Sequence, residues 1–227
     1  MPAAIAPHQA SLRIQLEYRL TRLTTRAGFC YNGKSVPYFD IPLFVGDQPW
    51  PFWRTERTLE LALIRDFVAR FDGPGLEVGN VMALYMDRPH TVVDKYEQGP
   101  GVLSLDIVDY HPAQTFDWIV ACSTIEHVGW DEDVVEPGKP LQAIRHLRTL
   151  LSPTGSLLAT VPLGYNPHLD DQIRYRRLEA TEETFFYRNR CVNRWAQSTV
   201  YRSAPYDGVL GHANGLWVAT YPHLTAK

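Results

Sequence analysis

Phe116-Asp117-Trp118-Ile119-Val120-Ala121-Cys122 runs directly into Ser123-Thr124-Ile125-Glu126-His127. The first segment is almost continuously apolar, as a parallel strand covered on both faces has to be. The second turns abruptly to polar and titratable side chains. In open α/β sheets ligands bind beyond the carboxyl ends of the strands, so this change marks a candidate site at a strand exit.

Working outward, the same pattern recurs on both sides. Upstream, Leu76-Glu77-Val78 ends at Gly79, Thr91-Val92-Val93 ends at Asp94, and Val102-Leu103-Ser104-Leu105 ends at Asp106. Downstream, residues 141–151 place Ile144, Leu147 and Leu151 on one helical face. Pro153-Thr154-Gly155 makes a turn, and residues 156–161 form a further strand. Residues 178–189 are mixed, with a helix and a strand both compatible, and residues 215–221 read as a last strand. The steps Glu77 to Asp94, Asp94 to Asp106 and Asp106 to Ser123 are 17, 12 and 17 residues. That spacing suits one strand–helix unit per step, with one unit compressed. Strands alternating with helices predict an α/β domain with a doubly wound, mostly parallel sheet.

The N-terminal part differs. Residues 11–25 and 57–71 have helical apolar spacing. Between them Pro37, Pro42, Pro49 and Pro51 exclude a continuous helix. That stretch is dense in aromatic residues. We therefore divide the chain into an N-terminal helical and aromatic lid, 1–72, and a sheet domain, 73–227, with a substrate-facing insert at about 164–212. A plain hydrophobic cover is the alternative reading of the lid.

Composition limits the function. The chain has 227 residues, 45% of them hydrophobic, which suffices for a full core. A net charge of −3 and a pI near 6.2 lack the basic footprint of a nucleic-acid binder. Arg174, Arg176 and Arg177 form a local exception, read either as a solvated face or as a site for an anionic group. Three cysteines with no C-x-x-C spacing point to neither a disulfide framework nor a zinc knuckle. No apolar run approaches the ~18 residues of a membrane span, and residues 1–10 lack signal-peptide character. The expectation is a cytoplasmic protein without membrane or nucleic-acid partners. Oligomeric state is not readable.

The strand exits supply the candidate site residues. Gly79 lets the backbone pass close to a ligand, and Glu77 and Asn80 flank it. Asp94, with Lys95 beside it, is placed to accept hydrogen bonds from a ribose diol. Asp106 and Ile107 suit an adenine ring, the acid taking the exocyclic amine and the apolar side chain packing on the face. Ser123 and Thr124 face the same region. His127 is either a general base, titrating near neutral pH, or a structural residue against the cofactor or a helix cap. Tyr165 and Asn166 leave the fifth strand toward the substrate side. Arg57 either pairs with a ligand carboxylate or makes a surface ion pair. Asp131, Glu132 and Asp133 are adjacent and do not converge readily on one ion, so no metal is expected.

Taken together, residues 74–163 resemble the class I S-adenosylmethionine (SAM)-dependent methyltransferases, whose fold is Rossmann-like. Leu76-Glu77-Val78-Gly79-Asn80 resembles their first motif. Val93-Asp94 resembles the ribose-binding acid, and Leu105-Asp106-Ile107 the adenine-contacting segment. Phe116 to Val120, running into Ile125-Glu126-His127-Val128, resembles the fourth-strand motif. Leu150 to Leu157 resembles the turn into the fifth strand. Asn80 stands where the family usually has a further glycine. The resemblance implies a seven-stranded sheet, SAM as cofactor, and in-line methyl transfer to a small molecule such as a sugar or natural-product intermediate. Two other uses fit the same motifs. One is intramolecular cyclisation of SAM to azetidine-2-carboxylate with release of methylthioadenosine. The other is a non-catalytic SAM-binding module.

Overall fold

The computed structural model describes residues 29–37, 43–45, 48–50, 55–189, 194–206 and 213–224. The expected helix at 11–25, and residues 38–42, 46–47 and 51–54 of the aromatic stretch, lie outside these residues. Two short hairpins come first: β1 (Phe29–Tyr31) with β2 (Lys34–Val36), and β3 (Leu43–Val45) with β4 (Gln48–Trp50). Helix α1 (Arg57–Val68) follows. The main sheet then takes β5 (Gly75–Val78), β6 (Thr91–Asp94), β7 (Val102–Ser104), β8 (Phe116–Cys122) and β9 (Leu151–Pro162). Helix α2 (Lys139–Thr149) lies between the last two. Helix α3 (Pro167–Arg174), β10 (Glu182–Asn189), β11 (Arg194–Ser198) and β12 (Gly215–Pro222) complete the order.

The sheet order is β11-β10-β12-β9-β8-β5-β6-β7. Strands β5 to β9 are mutually parallel, whereas β12 runs antiparallel to both β9 and β10. The chain steps outward from β5 to β7, then returns to β8 beside β5 and steps the other way. The point of reversal therefore lies between β5 and β8. The sheet has eight strands among the described residues, not the expected seven, because β11 pairs antiparallel with β10 and adds an edge strand.

Alternation along β8 explains its unbroken apolar run. Ile119 and Ala121 face a core shared with Ala143, Ile144 and Leu147 of α2 and with Leu169 and Ile173 of α3. Trp118, Val120 and Cys122 face the opposite core, with Leu59, Leu63, Ile64 and Phe67 of α1. Helix α1, expected in the lid, thus covers one face of the sheet. Hairpin β1–β2 extends that cover, with Phe29 packed edge-on to Phe186 of β10 at 5.7 Å.

Two connections depart from the strand–helix expectation. After β5 a single 3-10 turn, Met82–Leu84, replaces a helix. Between β6 and β7 there is no helix at all. The sequence gives a reason in each case: Pro89 disfavours helical geometry at Arg88, and Gly99-Pro100-Gly101 breaks any helix before β7. The Pro153-Thr154-Gly155 turn is absorbed into β9 as an irregularity opposite Phe116 and Trp118. A Cβ at Gly155 would lie 2.7 Å from the Phe116 carbonyl oxygen, so only glycine fits there.

Candidate functional site

A cleft of about 290 Å³ opens at the carboxyl ends of β5, β6 and β8. Its walls include seven of the residues expected from sequence: Gly79, Asp94, Lys95, Asp106, Ile107, Thr124 and His127. Asp94 Oδ1 accepts hydrogen bonds from the backbone N–H groups of Tyr96 (2.8 Å) and Glu97 (2.7 Å). These bonds orient the carboxylate, and Oδ2 makes no hydrogen bond to the described residues. Val78, Val93, Leu105, Ile107 and Val128 supply apolar wall. A carboxylate oriented by its own turn beside an apolar slot suits a nucleoside, the ribose diol on the acid and the base against the aliphatic side chains.

Asp106 and Lys95 belong to a larger ionic group. Lys95 Nζ lies 2.9 Å from Asp106 Oδ2 and 2.9 Å from Glu132 Oε2. Lys139 Nζ bridges the same two acids at 2.8 and 2.7 Å. Burial disfavours the charge on each group, but the opposite charges outweigh it. Asp106 and Glu132 are held below the usual carboxylate range, and both lysines above theirs. The alternation of charge cross-links the exits of β6, β7 and β8 to the start of α2. Asp106 also caps a 3-10 turn at Ile107–Asp109, accepting from Val108 N–H at 3.3 Å.

Gly79 is required twice over. Its φ is +81°, in the left-handed region. A Cβ there would stand 2.5 Å from Thr124 Oγ1, and that hydroxyl donates to the Val78 carbonyl at 3.0 Å. The glycine thus locks β5 to the exit of β8. Asn80, by contrast, has an ordinary negative φ and sends its amide to Glu97 Oε1 at 2.6 Å. It ties two loops together outside the cleft walls.

Glu77 is buried behind the cleft and does not line it. Its carboxylate accepts from Val81 N–H (2.7 Å), Met82 N–H and Ala83 N–H (3.1 Å), capping the Met82–Leu84 turn. The N–H groups of residues 81–83 are therefore bonded to Glu77 and do not serve a ligand. Its Oε2 also lies 2.9 Å from His90 Nε2. Burial lowers the His90 pKa, and the Glu77 carboxylate more than reverses that, leaving it raised.

His127, Tyr165 and the acidic run meet in a way that sequence reasoning missed. His127 Nδ1 lies 2.5 Å from Asp131 Oδ2, and the Tyr165 hydroxyl donates to the same oxygen at 2.6 Å. The two rings pack edge-on at 4.7 Å. The pairing assigns Nδ1–H as donor to Asp131 and leaves the Nε2 lone pair for other work. The signal was present in the sequence as an i, i+4 spacing. It becomes a contact because residues 125–131 coil through one helical turn, with Asp131 N–H bonded to the His127 carbonyl at 3.1 Å. Asp131 and Glu132 thus hold defined partners at the cleft wall. Asn166 is buried and caps α3, accepting from His168 and Leu169 N–H at 3.0 Å each and donating to the Glu126 carbonyl at 2.9 Å. That is a positioning role, away from the cleft.

Beyond His127 lies a second polar group. Arg57 Nη1 is 3.0 Å from Glu60 Oε2 and 2.7 Å from Cys122 Sγ. Arg57 is therefore engaged with a buried acid inside the fold and not in a surface ion pair. Glu60 Oε1 accepts from Ser123 Oγ (2.6 Å) and Thr160 Oγ1 (2.7 Å). These bonds hold Ser123 at φ +46°, a left-handed conformation that a non-glycine residue adopts only under constraint. Ser123 thereby turns from the cleft toward α1. Glu56, Glu60, Glu126 and Cys122 were not singled out from sequence. Each looks like an ordinary helix or strand residue until α1 docks across β8 and β9.

Among the described residues, no group of three or more His, Cys, Asp or Glu side chains is placed to hold a metal ion. No described helix is long and apolar enough to cross a membrane.

No family model matches the sequence, and no curated protein does. Solved structures are similar in fold. The N-methyltransferase NodS from Bradyrhizobium japonicum, in complex with S-adenosylhomocysteine, shares 17% identity over 80% of this chain and 94% of its own, at a TM-score of 0.48. The TehB-like SAM-dependent methyltransferase from Corynebacterium glutamicum shares 15% over 73% and 87%, at 0.44. The CcbJ methyltransferase from Streptomyces caelestis shares 14% over 80% and 94%, at 0.40. By its own strand order this chain forms a doubly wound, mostly parallel sheet in which β12 is antiparallel and β11 is an edge strand. Likeness at this level describes the course of the chain and bears on neither ligand nor reaction.

Proposed function

We propose that the chain is a SAM-dependent methyltransferase that acts on a small molecule. One observation carries the reading. The cleft at the point of strand reversal combines an oriented, uncommitted Asp94 oxygen with an apolar slot bounded by Ile107 and Val128. The nucleoside half of SAM asks for that pair of features, a diol acceptor and a flat apolar wall. SAM would supply an activated methyl group, so the protein's task is chiefly alignment of the acceptor.

This chain's residues divide that task. Asp94 orients the ribose. Ile107, with Val78, Val93 and Val128, excludes water from the base. Lys95 and Lys139 hold Asp106 and Glu132 as one rigid edge of the cleft. His127, fixed by Asp131, keeps Nε2 available to take a proton from the acceptor, and Tyr165 fixes Asp131 in turn. Calorimetry with S-adenosylhomocysteine tests the reading. We expect saturable binding to the wild type and a Kd about ten- to a hundredfold higher for Asp94→Ala, from loss of charge-assisted hydrogen bonds. Absence of binding to the wild type refutes it. Incubation with SAM alone separates transfer from cyclisation, because methylthioadenosine released without any acceptor would favour the latter.

A further inference from the structure

Three carboxylates are buried together next to His127. Glu56, Glu60 and Glu126 are 6%, 0% and 1% exposed. Glu56 Oε2 accepts from Ala213 N–H at 2.9 Å. Glu60 is held by Ser123, Thr160 and Arg57. Glu126 differs, because its buried Oε2 has neither a hydrogen-bond partner nor, unlike Glu60 Oε2, an arginine beside it. Arg57 is the cation that faces this group among the described residues, so the charges are unbalanced by two when all three acids are ionised. A buried carboxylate without a partner is among the costliest arrangements a fold can hold. Burial pushes the Glu126 carboxyl well up, and Glu60 adds to the rise.

Aromatic faces complete the surroundings. Tyr206 and Tyr165 pack edge-on with ring centroids 5.3 Å apart. Burial and the nearby charges of Glu56, Glu126 and Glu60 push the Tyr206 hydroxyl up to about 12. Glu126 Oε1 stands 3.8 Å from His127 Nε2, so the acid adjoins the proton acceptor assigned above. A positively charged group fits here for two reasons: the unpartnered buried carboxyl, which burial keeps protonated while nothing offsets its charge, gives up that proton to become the counter-charge as a cation arrives, and nearby tyrosine rings attract a cation.

We infer that Glu126, walled by Tyr165 and Tyr206, is the acceptor subsite for an aliphatic amine, and that the chain methylates nitrogen. This rests on the methyltransferase reading above and specifies its substrate class. The ammonium form binds against Glu126. It then gives a proton to His127 Nε2, which exposes the nitrogen lone pair. Transfer balances: the N–C bond forms as the S–C bond breaks, the bonding pair stays on sulfur, and the product leaves as a methylated ammonium. His127 is partly exposed, so its proton has a route to solvent.

The test uses paired probes that differ at one group: 2-phenylethylamine against 2-phenylethanol, cyclohexylamine against cyclohexanol, and glucosamine against glucose. Binding is read by ligand-observed NMR on the full chain, with and without S-adenosylhomocysteine. We expect at least one amine to bind tenfold or more tightly than its alcohol. The preference should fall to within about twofold in Glu126→Gln and several-fold in Tyr206→Leu. Glu126→Gln should keep wild-type affinity for S-adenosylhomocysteine and an equal or higher Tm, which separates loss of the subsite from loss of fold. No amine preference in any wild-type pair, or a preference that survives Glu126→Gln, overturns the inference. Failure of the wild type to bind S-adenosylhomocysteine overturns the methyltransferase reading instead, and the probes without it still decide the subsite.

Discussion

Replacing Glu77 by Gln should destabilise the protein strongly at pH 6 and much less at pH 9. In the fold, Glu77 is fully buried, accepts three backbone N–H groups, and pairs with His90 Nε2 at 2.9 Å. Gln keeps one acceptor oxygen but brings an NH2 group toward donors and removes the charge facing His90. Breaking a buried pair costs about 3 kcal/mol or more. For a domain of this size, that corresponds to a fall in Tm of roughly 6–12 °C. The pH dependence has a definite sign. His90 has its folded pKa raised above the ordinary 6.5 by Glu77, against the effect of burial. Its contribution is therefore complete below pH 6.5 and is lost as pH rises through the folded pKa. Without Glu77, burial alone acts on His90 and favours the neutral ring. The stability gap between wild type and Glu77→Gln should thus be widest near pH 6 and shrink toward pH 9. The limiting slope for one proton is about 1.4 kcal/mol per pH unit. Urea unfolding monitored by fluorescence across that range measures the gap. A gap that stays constant with pH would refute the pairing, and one below about 1 kcal/mol at every pH would refute the capping role as well.

Other expectations follow from the same geometry. His127→Ala should lower turnover by about 10² to 10⁴ and change the KM for SAM only a few-fold, measured with an amine found by the paired probes. Turnover within a few-fold of wild type would leave His127 a packing residue. Asp170 accepts from Gly164 N–H through Oδ2, while its Oδ1 is buried without a partner. Burial, with Asp171 beside it, raises its pKa to about 6. The folded state then holds this proton more tightly than the unfolded chain, so stability declines as pH rises from about 4 to 6. Asp170→Asn should remove that decline and leave the variant more stable at pH 7 by about 2 kcal/mol. Parallel thermal melts of the two proteins from pH 4 to 7 would show it, and curves that stay parallel would count against it.

Much of the fold could be read because strand signals are local. The segments at 76–78, 91–93, 116–122 and 215–221 are apolar runs with abrupt polar ends, and each is a strand. The helices expected after β5 and β6 are absent, because Pro89 and Gly99-Pro100-Gly101 cut them short. Both breakers act on the local backbone, and that restriction prevails over the strand–helix spacing. The β10–β11 hairpin was not legible, since residues 178–198 have mixed patterning and β10 is fixed by pairing with β12 as well as with β11.

The site divides along the same line. The order of residue types along the chain was enough to place the strand exits, and with them Asp94, Asp106, Ile107, Thr124 and His127 on one cleft, because a strand's end and its first loop residues are neighbours in the chain. Gly79 was legible for a similar reason, as a turn that only glycine makes without strain. What the charged groups do follows from packing between distant segments. Glu77 caps a turn because His90 and the 81–83 backbone close over it. Arg57 is held by Glu60 and Cys122, and Glu126 is left without a partner, only because α1 docks across β8 and β9. Charge and hydrogen bonding depend on distances between segments far apart in sequence, and burial multiplies their effect. A pattern of residue types carries neither the distance nor the burial, so it locates the cleft and leaves the roles of the acids around it to the fold.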